Sequence, residues 1–229
     1  MNPQCPVHTV TFDVGGTLIS PSPSVGHVYA EMAARYGVKA DAAALTDGFK
    51  RAWKAKTEFN YSEEAWYGLV RNTFGPLAPK LPDAFFPAVY RRFIDAEVWS
   101  VHEDALAVLD ELASRDFNLG VISNWDERLR PLLKNLKLTP YFQAITVSCE
   151  VQFPKPEGVI FEQALRSLGA APGAVLHVGD SRVEDADGAR SAGLHGLHLD
   201  RQGGGDIQSL MEIPGWLERL SVEAEMGGS

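Results

Sequence analysis

The chain has 229 residues, of which 45% are hydrophobic and 22% are charged, a composition that is typical of globular proteins and excludes disordered, collagenous and coiled-coil classes. Its formal net charge of -9 argues against nucleic acid and membrane surfaces as partners, because such anionic partners are bound by clustered Lys and Arg. The sequence shows no such cluster and no apolar run long enough to span a membrane, so we expect a cytoplasmic protein. We further expect a monomer or a weak homodimer.

The first predicted element is a strand over residues 7–12, whose β-branched and apolar residues suit a strand buried on both faces. The residues that follow, 21–100, carry helical patterns and no convincing strand, and they are predicted to form an inserted helical cap. Four helices are expected there, over residues 25–36, 42–53, 63–74 and 84–94, the last three capped at their N-termini by Asp41, Ser62 and Asp83.

From residue 101 onward, short apolar segments alternate with amphipathic ones, which is the pattern of a parallel sheet covered by helices. We predict strands over 119–122, 144–147, 175–178 and 196–199, helices over 103–114, 157–168 and 183–192, and a glycine-rich loop and short helix at the C-terminus. The predicted fold class is therefore α/β, with a doubly wound, mainly parallel, Rossmann-like core domain (1–20 and 101–229) and an inserted helical cap domain (21–100).

Asp13 stands directly after the first predicted strand and is followed closely by Gly15 and Gly16. Open α/β sheets bind ligands at the carboxyl ends of their strands, so this carboxylate is a candidate for chemistry. A plain turn has a similar composition, and this short segment alone does not decide between the two.

Ser123 and Asn124 follow the predicted strand 119–122. The serine hydroxyl group can bind an anionic oxygen, although the same pair is common as the cap of a following helix. Lys155 lies between Pro154 and Pro156, which would hold its positive charge in a fixed place, although a loop lysine is otherwise usually solvated.

Asp180 and Asp185 follow the predicted strand 175–178. Crowded against Asp13, they would repel one another unless a hard divalent cation neutralised them, and ligation by oxygen atoms alone favours Mg²⁺. Asp185 has an alternative role as the cap of the next helix.

The order of these residues along almost the whole chain resembles the four motifs of the haloacid dehalogenase superfamily: Asp13, then Ser123, then Lys155, then Asp180 with Asp185. The inserted segment is similar to that superfamily's helical cap of the first type. Residues 26–54, 121–128 and 153–165 look like the animal haloacid dehalogenase-like hydrolase domain-containing proteins and their bacterial relatives.

The resemblance implies a hydrolase in which Asp13 attacks the phosphorus of a small phosphorylated substrate, and water then hydrolyses the aspartyl-phosphate. It implies Mg²⁺ as the cofactor, with Asp13, the main-chain carbonyl of Gly15, Asp180 and Asp185 as ligands. It implies Asp13, Ser123 and Lys155 as catalytic residues, and Gly16, Ser123, Asn124 and Lys155 as substrate-binding residues.

Gly15 departs from the pattern of the superfamily's phosphatases, which carry a second Asp at this position as the acid toward the leaving group and the base toward water. Such general acid–base help is typically worth about 100- to 10,000-fold. It is absent here unless the cap supplies a carboxylate, for which the candidates are Glu58, Glu63 and Glu64. Metal binding through the carbonyl of Gly15 does not need the missing side chain.

Gly15 also keeps other functions open. Metal-free 2-haloacid dehalogenases of the superfamily lack the second Asp as well, but resemblance to them predicts loss of the acids that Asp180 and Asp185 retain. A weakly active, phosphate-binding regulatory module is another alternative. A phosphonate-cleaving branch keeps the metal and uses a cap lysine to form an imine; the candidates are Lys50, Lys54 and Lys56.

The remaining singled-out residues have plainer interpretations. His177, on a predicted strand, is interpreted as a core histidine bonded to a neighbour rather than as a catalytic base. Trp125 and Arg128, which follow Asn124 closely, are weaker candidates for contacting the substrate.

Overall fold

The computed structural model describes residues 7–57 and 59–227. These residues form two compact units. The first unit contains residues 7–19, 101–124 and 137–227, and the second contains residues 20–57, 59–100 and 125–136. The sequence-based division placed residues 125–136 in the core domain, whereas the structure groups them with the second unit.

The strands are β1 (Thr9–Phe12), β2 (Ile19–Pro21), β3 (Trp99–Val101), β4 (Asn118–Ser123), β5 (Ala144–Val147), β6 (Val175–Gly179) and β7 (His195–His198). The sheet of the first unit has the order β5-β4-β1-β6-β7, and each neighbouring pair is parallel. The chain fills one side of β1 with β4 and β5, and then fills the other side with β6 and β7. This is the doubly wound α/β fold predicted from the sequence.

The helices are α1 (Val25–Arg35), α2 (Ala42–Lys54), α3 (Glu63–Phe74), α4 (Phe85–Arg92), α5 (Glu103–Ser114), α6 (Leu129–Asn135), α7 (Ser148–Val151), α8 (Gly158–Leu168), α9 (Gly188–Ser191) and α10 (Ile213–Gly227). None of the helices in the described part of the chain is long and apolar enough to cross a bilayer.

The core of the first unit lies between the sheet and its helices. Ile122 of β4 and Val175 of β6 are buried in one apolar cluster with Phe161 and Leu165 of α8. α8 ends where Gly169 adopts a left-handed conformation, with φ of 61°, which glycine tolerates without a steric cost. The packing of α8 on the sheet positions the loop before it, which carries Lys155.

The segment predicted as a helix over 183–192 is helical, but its first half is wound differently from an α-helix. The structure has a π-helical turn, Arg182–Asp187, before the short helix α9. The turn begins where the hydroxyl group of Ser181 accepts a hydrogen bond from the N–H of Glu184, at 3.2 Å. Its wider winding accompanies an inward-facing Asp185, which is 1% exposed, so the segment is shaped by the site as well as by helix packing.

In the second unit, two of the three predicted N-caps are confirmed. The Asp41 side chain accepts from the N–H of Ala44 at 2.8 Å, and Ser62 accepts from the N–H of Ala65 at 3.2 Å. Such caps typically stabilise a helix by about 1 kcal/mol. The third, Asp83, is wrong: α4 begins after Ala84 and has no side-chain cap.

The segment 125–136 contacts the rest of the second unit through Arg128, which also forms a buried ion pair within the segment. Arg128 donates to both carboxylate oxygens of Asp126, at 2.8 and 2.6 Å, and to the main-chain carbonyl of Tyr90 at 2.9 Å. Its guanidinium group also lies 3.6 Å from the centre of the Tyr90 ring. Arg128 is therefore a packing residue of this unit, and its donors are committed to these partners.

Candidate active site

The strand order of the first unit reverses at β1, which makes the carboxyl ends of β1, β4 and β6 a topological switch point. Asp13 follows β1, Ser123 ends β4, and Asp180 follows β6. Because parallel strands bring their carboxyl ends to the same edge, residues far apart in sequence meet there. The residues assigned by the four motifs all lie in this unit: Asp13, Gly15, Gly16, Ser123, Asn124, Lys155, Asp180 and Asp185.

Asp13 is 7% exposed and is held through one carboxylate oxygen. Its Oδ1 accepts a hydrogen bond from Ser123 Oγ at 2.8 Å and another from Lys155 Nζ at 2.8 Å. Burial raises the pKa of the Asp13 carboxyl above its ordinary value; the ammonium group of Lys155 opposes this, and the charge of Asp185 adds to it. The structure thus brings together the three residues predicted to be catalytic.

Lys155 is buried at the centre of the site. Besides Asp13, its Nζ donates to the main-chain carbonyl of Ile122 at 2.8 Å and to Asp185 Oδ1 at 2.5 Å. Burial alone would lower the pKa of Lys155, but the two carboxylates outweigh it and hold the pKa above its ordinary value. Lys155 therefore remains an ammonium group with three fixed partners.

Asn124 positions Lys155 through the main chain. Its Oδ1 accepts from the N–H of Lys155 at 2.6 Å, and its Nδ2 donates to the carbonyl of Lys155 at 2.9 Å. Nδ2 also lies 3.2 Å from Glu184 Oε2. The side chain of Asn124 is thus engaged by the protein, and its predicted contact with substrate stays a prediction.

Two glycines make room for the acidic side chains. Gly16 has a φ of 82°, and a Cβ on it would collide with the carboxylate of Asp180. A Cβ on Gly179 would collide with the carboxylate of Asp185. The N–H of Gly16 donates to the carbonyl of Ile19 at 2.8 Å, so Gly16 contributes space, and its predicted role in binding substrate stays a prediction.

Asp13, Asp180 and Asp185 form a cluster in which one carboxylate oxygen from each residue lies within 4.8 Å of the others. Asp180 as a whole residue is exposed, but desolvation of its carboxyl group, followed by the charges of Asp13 and Asp185, raises the pKa of Asp180 to about 7. Burial also opposes ionisation of Asp185, but Lys155 and the hydrogen bond from His177 outweigh it and hold that pKa well below its usual range.

This cluster fits a hard divalent cation. Three carboxylates and one ammonium group leave an excess of negative charge, which is why Asp180 ionises with difficulty. The donors are all oxygen atoms, as Mg²⁺ prefers. Gly15, whose carbonyl is the fourth predicted ligand, forms a one-residue parallel bridge with Ile19, which anchors the backbone of this loop.

His177 is a part of this site that the sequence-based interpretation treated as core. It is fully buried, and its Nε2 lies 3.2 Å from Asp185 Oδ1. Burial lowers the pKa of His177 below its ordinary value. One signal of this contact is visible in the sequence: His177 stands two residues before Gly179 at the end of β6, on the same face of the strand.

The candidates in the helical cap belong to the second unit. Glu58 lies outside the described residues. Glu63 accepts a hydrogen bond from the hydroxyl group of Tyr67 within α3, and Lys56 Nζ lies 4.2 Å from the centre of the Trp53 ring. The roles predicted for these side chains, and for Glu64, Lys50 and Lys54, stay predictions.

The sequence matches the family model of haloacid dehalogenase-like hydrolases over residues 7–193. The chain belongs to the haloacid dehalogenase-like hydrolase family. Haloacid dehalogenase-like hydrolase domain-containing protein 3 of Danio rerio is 34% identical to it over 235 residues, covering 93% of this chain and 97% of that protein. The resemblance predicted from the order of the site residues is confirmed, and the protein is a hydrolase by family.

Solved structures with this family's fold carry more than one reaction in their names. A HAD phosphatase from Thermococcus onnurineus has a TM-score of 0.68 and 24% identity, covering 92% of this chain and 98% of that chain. The L-2-haloacid dehalogenase of Xanthobacter autotrophicus has a TM-score of 0.69 and 21% identity, covering 85% of this chain and 78% of that chain. Such likeness shows the fold alone, so the reaction must be argued from the site.

Proposed function

We propose that this hydrolase is a Mg²⁺-dependent phosphatase, which transfers a phosphoryl group from a small phosphorylated metabolite to Asp13 and then hydrolyses the aspartyl-phosphate. The observation that supports this most strongly is the geometry around Asp13, whose Oδ1 accepts from both Ser123 and Lys155 at 2.8 Å. Phosphoryl transfer demands positioning and charge neutralisation, and both are provided by these fixed donors.

In the first step, a carboxylate oxygen of Asp13 forms a bond to phosphorus while the bond from phosphorus to the leaving oxygen breaks. The leaving oxygen keeps the electron pair of that bond. Ser123 and Lys155, which hold Asp13 beforehand, donate hydrogen bonds to the phosphoryl oxygens as negative charge collects on them.

The acids of the cluster would hold the cation. Asp13, Asp180, Asp185 and the carbonyl of Gly15 are the oxygen donors that we assign to Mg²⁺. When bound, the ion supplies the positive charge that lets an anionic nucleophile approach an anionic substrate. The ammonium group of Lys155 adds a second positive charge, which is permanent, beside the carboxylate of Asp13.

In the second step, water attacks the phosphorus of the aspartyl-phosphate, and the bond between phosphorus and Asp13 breaks. Asp13 keeps the electron pair and returns to a carboxylate, and inorganic phosphate leaves with the oxygen of the water, whose protons pass to the phosphate and the solvent. Gly15 has no side chain to protonate the leaving group or to deprotonate this water. We therefore propose that the enzyme favours aryl and acyl phosphates, whose leaving groups depart without a proton, over alkyl phosphates such as sugar phosphates.

Gly15 also supports a second candidate, a C–X hydrolase of the dehalogenase type. Against it stands the acidic cluster, since a metal-free reaction would leave three carboxylates beside the single ammonium group of Lys155. For this reason the phosphatase is the better-supported proposal.

A substrate screen tests the proposal. Phosphorylated metabolites, aryl phosphates and acyl phosphates would be assayed for phosphate release with and without Mg²⁺, beside 2-chloropropionate and phosphonoacetaldehyde. The proposal expects Mg²⁺-dependent release of phosphate from at least one of the phosphorylated metabolites, aryl phosphates or acyl phosphates. Hydrolysis of 2-chloropropionate without metal, and no release of phosphate, would replace it with the dehalogenase.

A further inference from the structure

His177 is a buried histidine of β6 that the proposed reaction steps do not use. It lies on the same face of the sheet as Gly179, and it is the register partner of Thr11 on β1. Its ring packs edge-on against Phe161, with 5.5 Å between the ring centroids. A histidine without solvent exposure is stable only where its ring nitrogens find hydrogen-bond partners.

Both ring nitrogens of His177 have such partners. Nε2 lies 3.2 Å from Asp185 Oδ1, and Nδ1 lies 3.0 Å from Thr11 Oγ1. Because an ionised carboxylate only accepts hydrogen bonds, Nε2 must carry a proton. In the neutral ring, Nδ1 then accepts from the hydroxyl group of Thr11, whose other acceptor among the described residues is the more distant main-chain carbonyl of Leu176, at 3.4 Å. This pair of contacts favours one tautomer.

Asp185 is held from three directions. Its Oδ1 accepts from His177 and from Lys155 Nζ, the latter at 2.5 Å, and its Oδ2 accepts from the N–H of Ser181 at 2.9 Å. Gly179 leaves the space into which the carboxylate fits. The carboxylate therefore has one orientation, and it is one of the three acceptors that place the Lys155 ammonium group, with Asp13 and the carbonyl of Ile122.

We propose that His177 is a positioning residue: its Nε2–H, fixed by Thr11, orients Asp185 and thereby places both a cation ligand and the ammonium group of Lys155. The expected effect of His177 on turnover rests on the proposed phosphatase function. The expected effects of His177 on the orientation of Asp185 and on Mg²⁺ affinity do not depend on turnover. Hydrogen-bond partners of metal-binding side chains are typically worth about 10- to 100-fold in metal affinity or activity.

Two substitutions separate the hydrogen bond from the volume of the ring. His177→Leu occupies the space without a donor, whereas the amide of His177→Gln can place an N–H near the position of Nε2. We expect Mg²⁺ affinity, measured by titrating the ion against the melting temperature, to fall about 10- to 100-fold in His177→Leu. His177→Gln should recover most of that loss, and kcat on an aryl phosphate should follow the same order.

Leu176→Val is the matched control. Leu176 is a fully buried residue of the same strand, and its side chain faces the opposite side of the sheet. We expect this variant to melt at a lower temperature than the wild type and to keep its Mg²⁺ affinity. A general loosening of β6 would instead weaken Mg²⁺ binding in both variants.

A second measurement on the wild-type protein needs neither turnover nor a metal ion. Long-range ¹H–¹⁵N correlation spectra of ¹⁵N-labelled protein report which nitrogen of each imidazole carries the proton. The His177 signal is assigned by its loss in His177→Gln. We expect a neutral ring with its proton on Nε2.

Three results would overturn the inference: a proton on Nδ1, wild-type Mg²⁺ affinity in His177→Leu, or His177→Gln as weak as His177→Leu. A wild-type protein that does not respond to Mg²⁺ would overturn it as well. If the tautomer and the affinities are as expected but no phosphate ester is hydrolysed, the phosphatase proposal fails and the positioning role of His177 stands.

Discussion

The ammonium group of Lys155 lies 2.5 Å from Oδ1 of Asp185, although the two residues are 30 positions apart in the chain. Asp185 is therefore shared between a permanent cation and the acidic cluster formed with Asp13 and Asp180. This explains why one lysine can hold Asp185 ionised. Asp180, for which the described residues provide no ion pair, has its pKa raised to about 7 by desolvation and by the neighbouring acids.

A first prediction concerns the metal ion. Mg²⁺ at about 100 times its dissociation constant should stabilise the native protein by about 2.7 kcal/mol, because it binds the folded acid cluster and not the unfolded chain. Asp180→Ala should abolish this response, measured as the shift in melting temperature. Glu162→Ala, which removes an exposed acid of α8, should keep it. An equal shift in both variants would show that Mg²⁺ binds elsewhere.

The second prediction turns on Gly15. Without a proton donor at this position, turnover should fall steeply as the pKa of the leaving group rises. Gly15→Asp should flatten this dependence and raise turnover of alkyl phosphates by about tenfold or more, compared with about 100- to 10,000-fold for a fully effective general acid–base. The measurement is kcat/KM for a series of phosphate esters, with a melting curve of each variant.

Gly15→Ala is the control for Gly15→Asp, since it adds a Cβ without a carboxylate. A stable Gly15→Asp protein that responds to Mg²⁺ but keeps the wild-type dependence on the leaving group would contradict the account. The proton would then come from another group, for which the cap acids Glu63 and Glu64 are the next candidates to substitute.

A third prediction concerns the stability of the second unit. Asp126→Ala leaves the buried guanidinium group of Arg128 without its carboxylate, which should lower the free energy of unfolding by about 3–5 kcal/mol. Asp126→Ala combined with Arg128→Met should recover part of this loss. Tryptophan fluorescence during urea unfolding suits the measurement, because Trp53, Trp66, Trp99 and Trp125 belong to this unit.

The control for Asp126→Ala is an exposed pair. Arg166 and Glu162 form an ion pair on α8, with side chains 72% and 60% exposed, and Arg166→Gln should change stability by about 0–1 kcal/mol. A loss in Asp126→Ala no larger than this would mean that the buried pair does not hold residues 125–136 in place.

The fourth prediction is a dependence of stability on pH. Asp104 accepts from Arg201 Nη1 at 2.7 Å, from Ser209 Oγ at 2.9 Å and from the N–H of Leu210 at 3.0 Å. Burial opposes ionisation, but these partners outweigh it and lower the pKa of Asp104 below its ordinary value. The stabilisation is therefore present above the unfolded-state pKa of about 3.9 and is lost as the pH falls through the folded-state pKa.

Asp104→Asn should accordingly lower the free energy of unfolding by about 1–3 kcal/mol at pH 7. The difference from the wild type should shrink as the pH falls below about 4. Urea unfolding at a series of pH values gives this difference directly, and Glu103→Gln, at an exposed position of α5, is the control. A difference that grows toward acid pH would contradict the assignment.

The sequence was most informative where local chemistry decides the structure. The strand Ala144–Val147 and the helix Glu103–Ser114 have the predicted bounds, because hydrophobic periodicity sets both. The site could be anticipated from Asp13 and Ser123 for a related reason: polar residues directly after buried strands meet at one edge of a parallel sheet.

Features that depend on distant partners were not visible in the sequence. β2 and β3 are each three residues long, too short to show an alternating pattern. The buried pair of Asp126 and Arg128 has no periodic signal, so the sequence did not group its segment with residues 20–100. The contact of His177 with Asp185 depends on the π-helical turn, which the spacing of apolar residues does not reveal.

The most direct test of the central claim is to trap the phosphoryl group on Asp13. The enzyme would be mixed with Mg²⁺ and an aryl or acyl phosphate, quenched in acid during turnover, digested and analysed by mass spectrometry. We expect the mass of one phosphoryl group on the peptide that contains Asp13, and neither adduct nor turnover in a folded Asp13→Asn variant. Turnover at the wild-type level in Asp13→Asn, with no adduct on Asp13 in either protein, would contradict the assignment of Asp13 as the nucleophile.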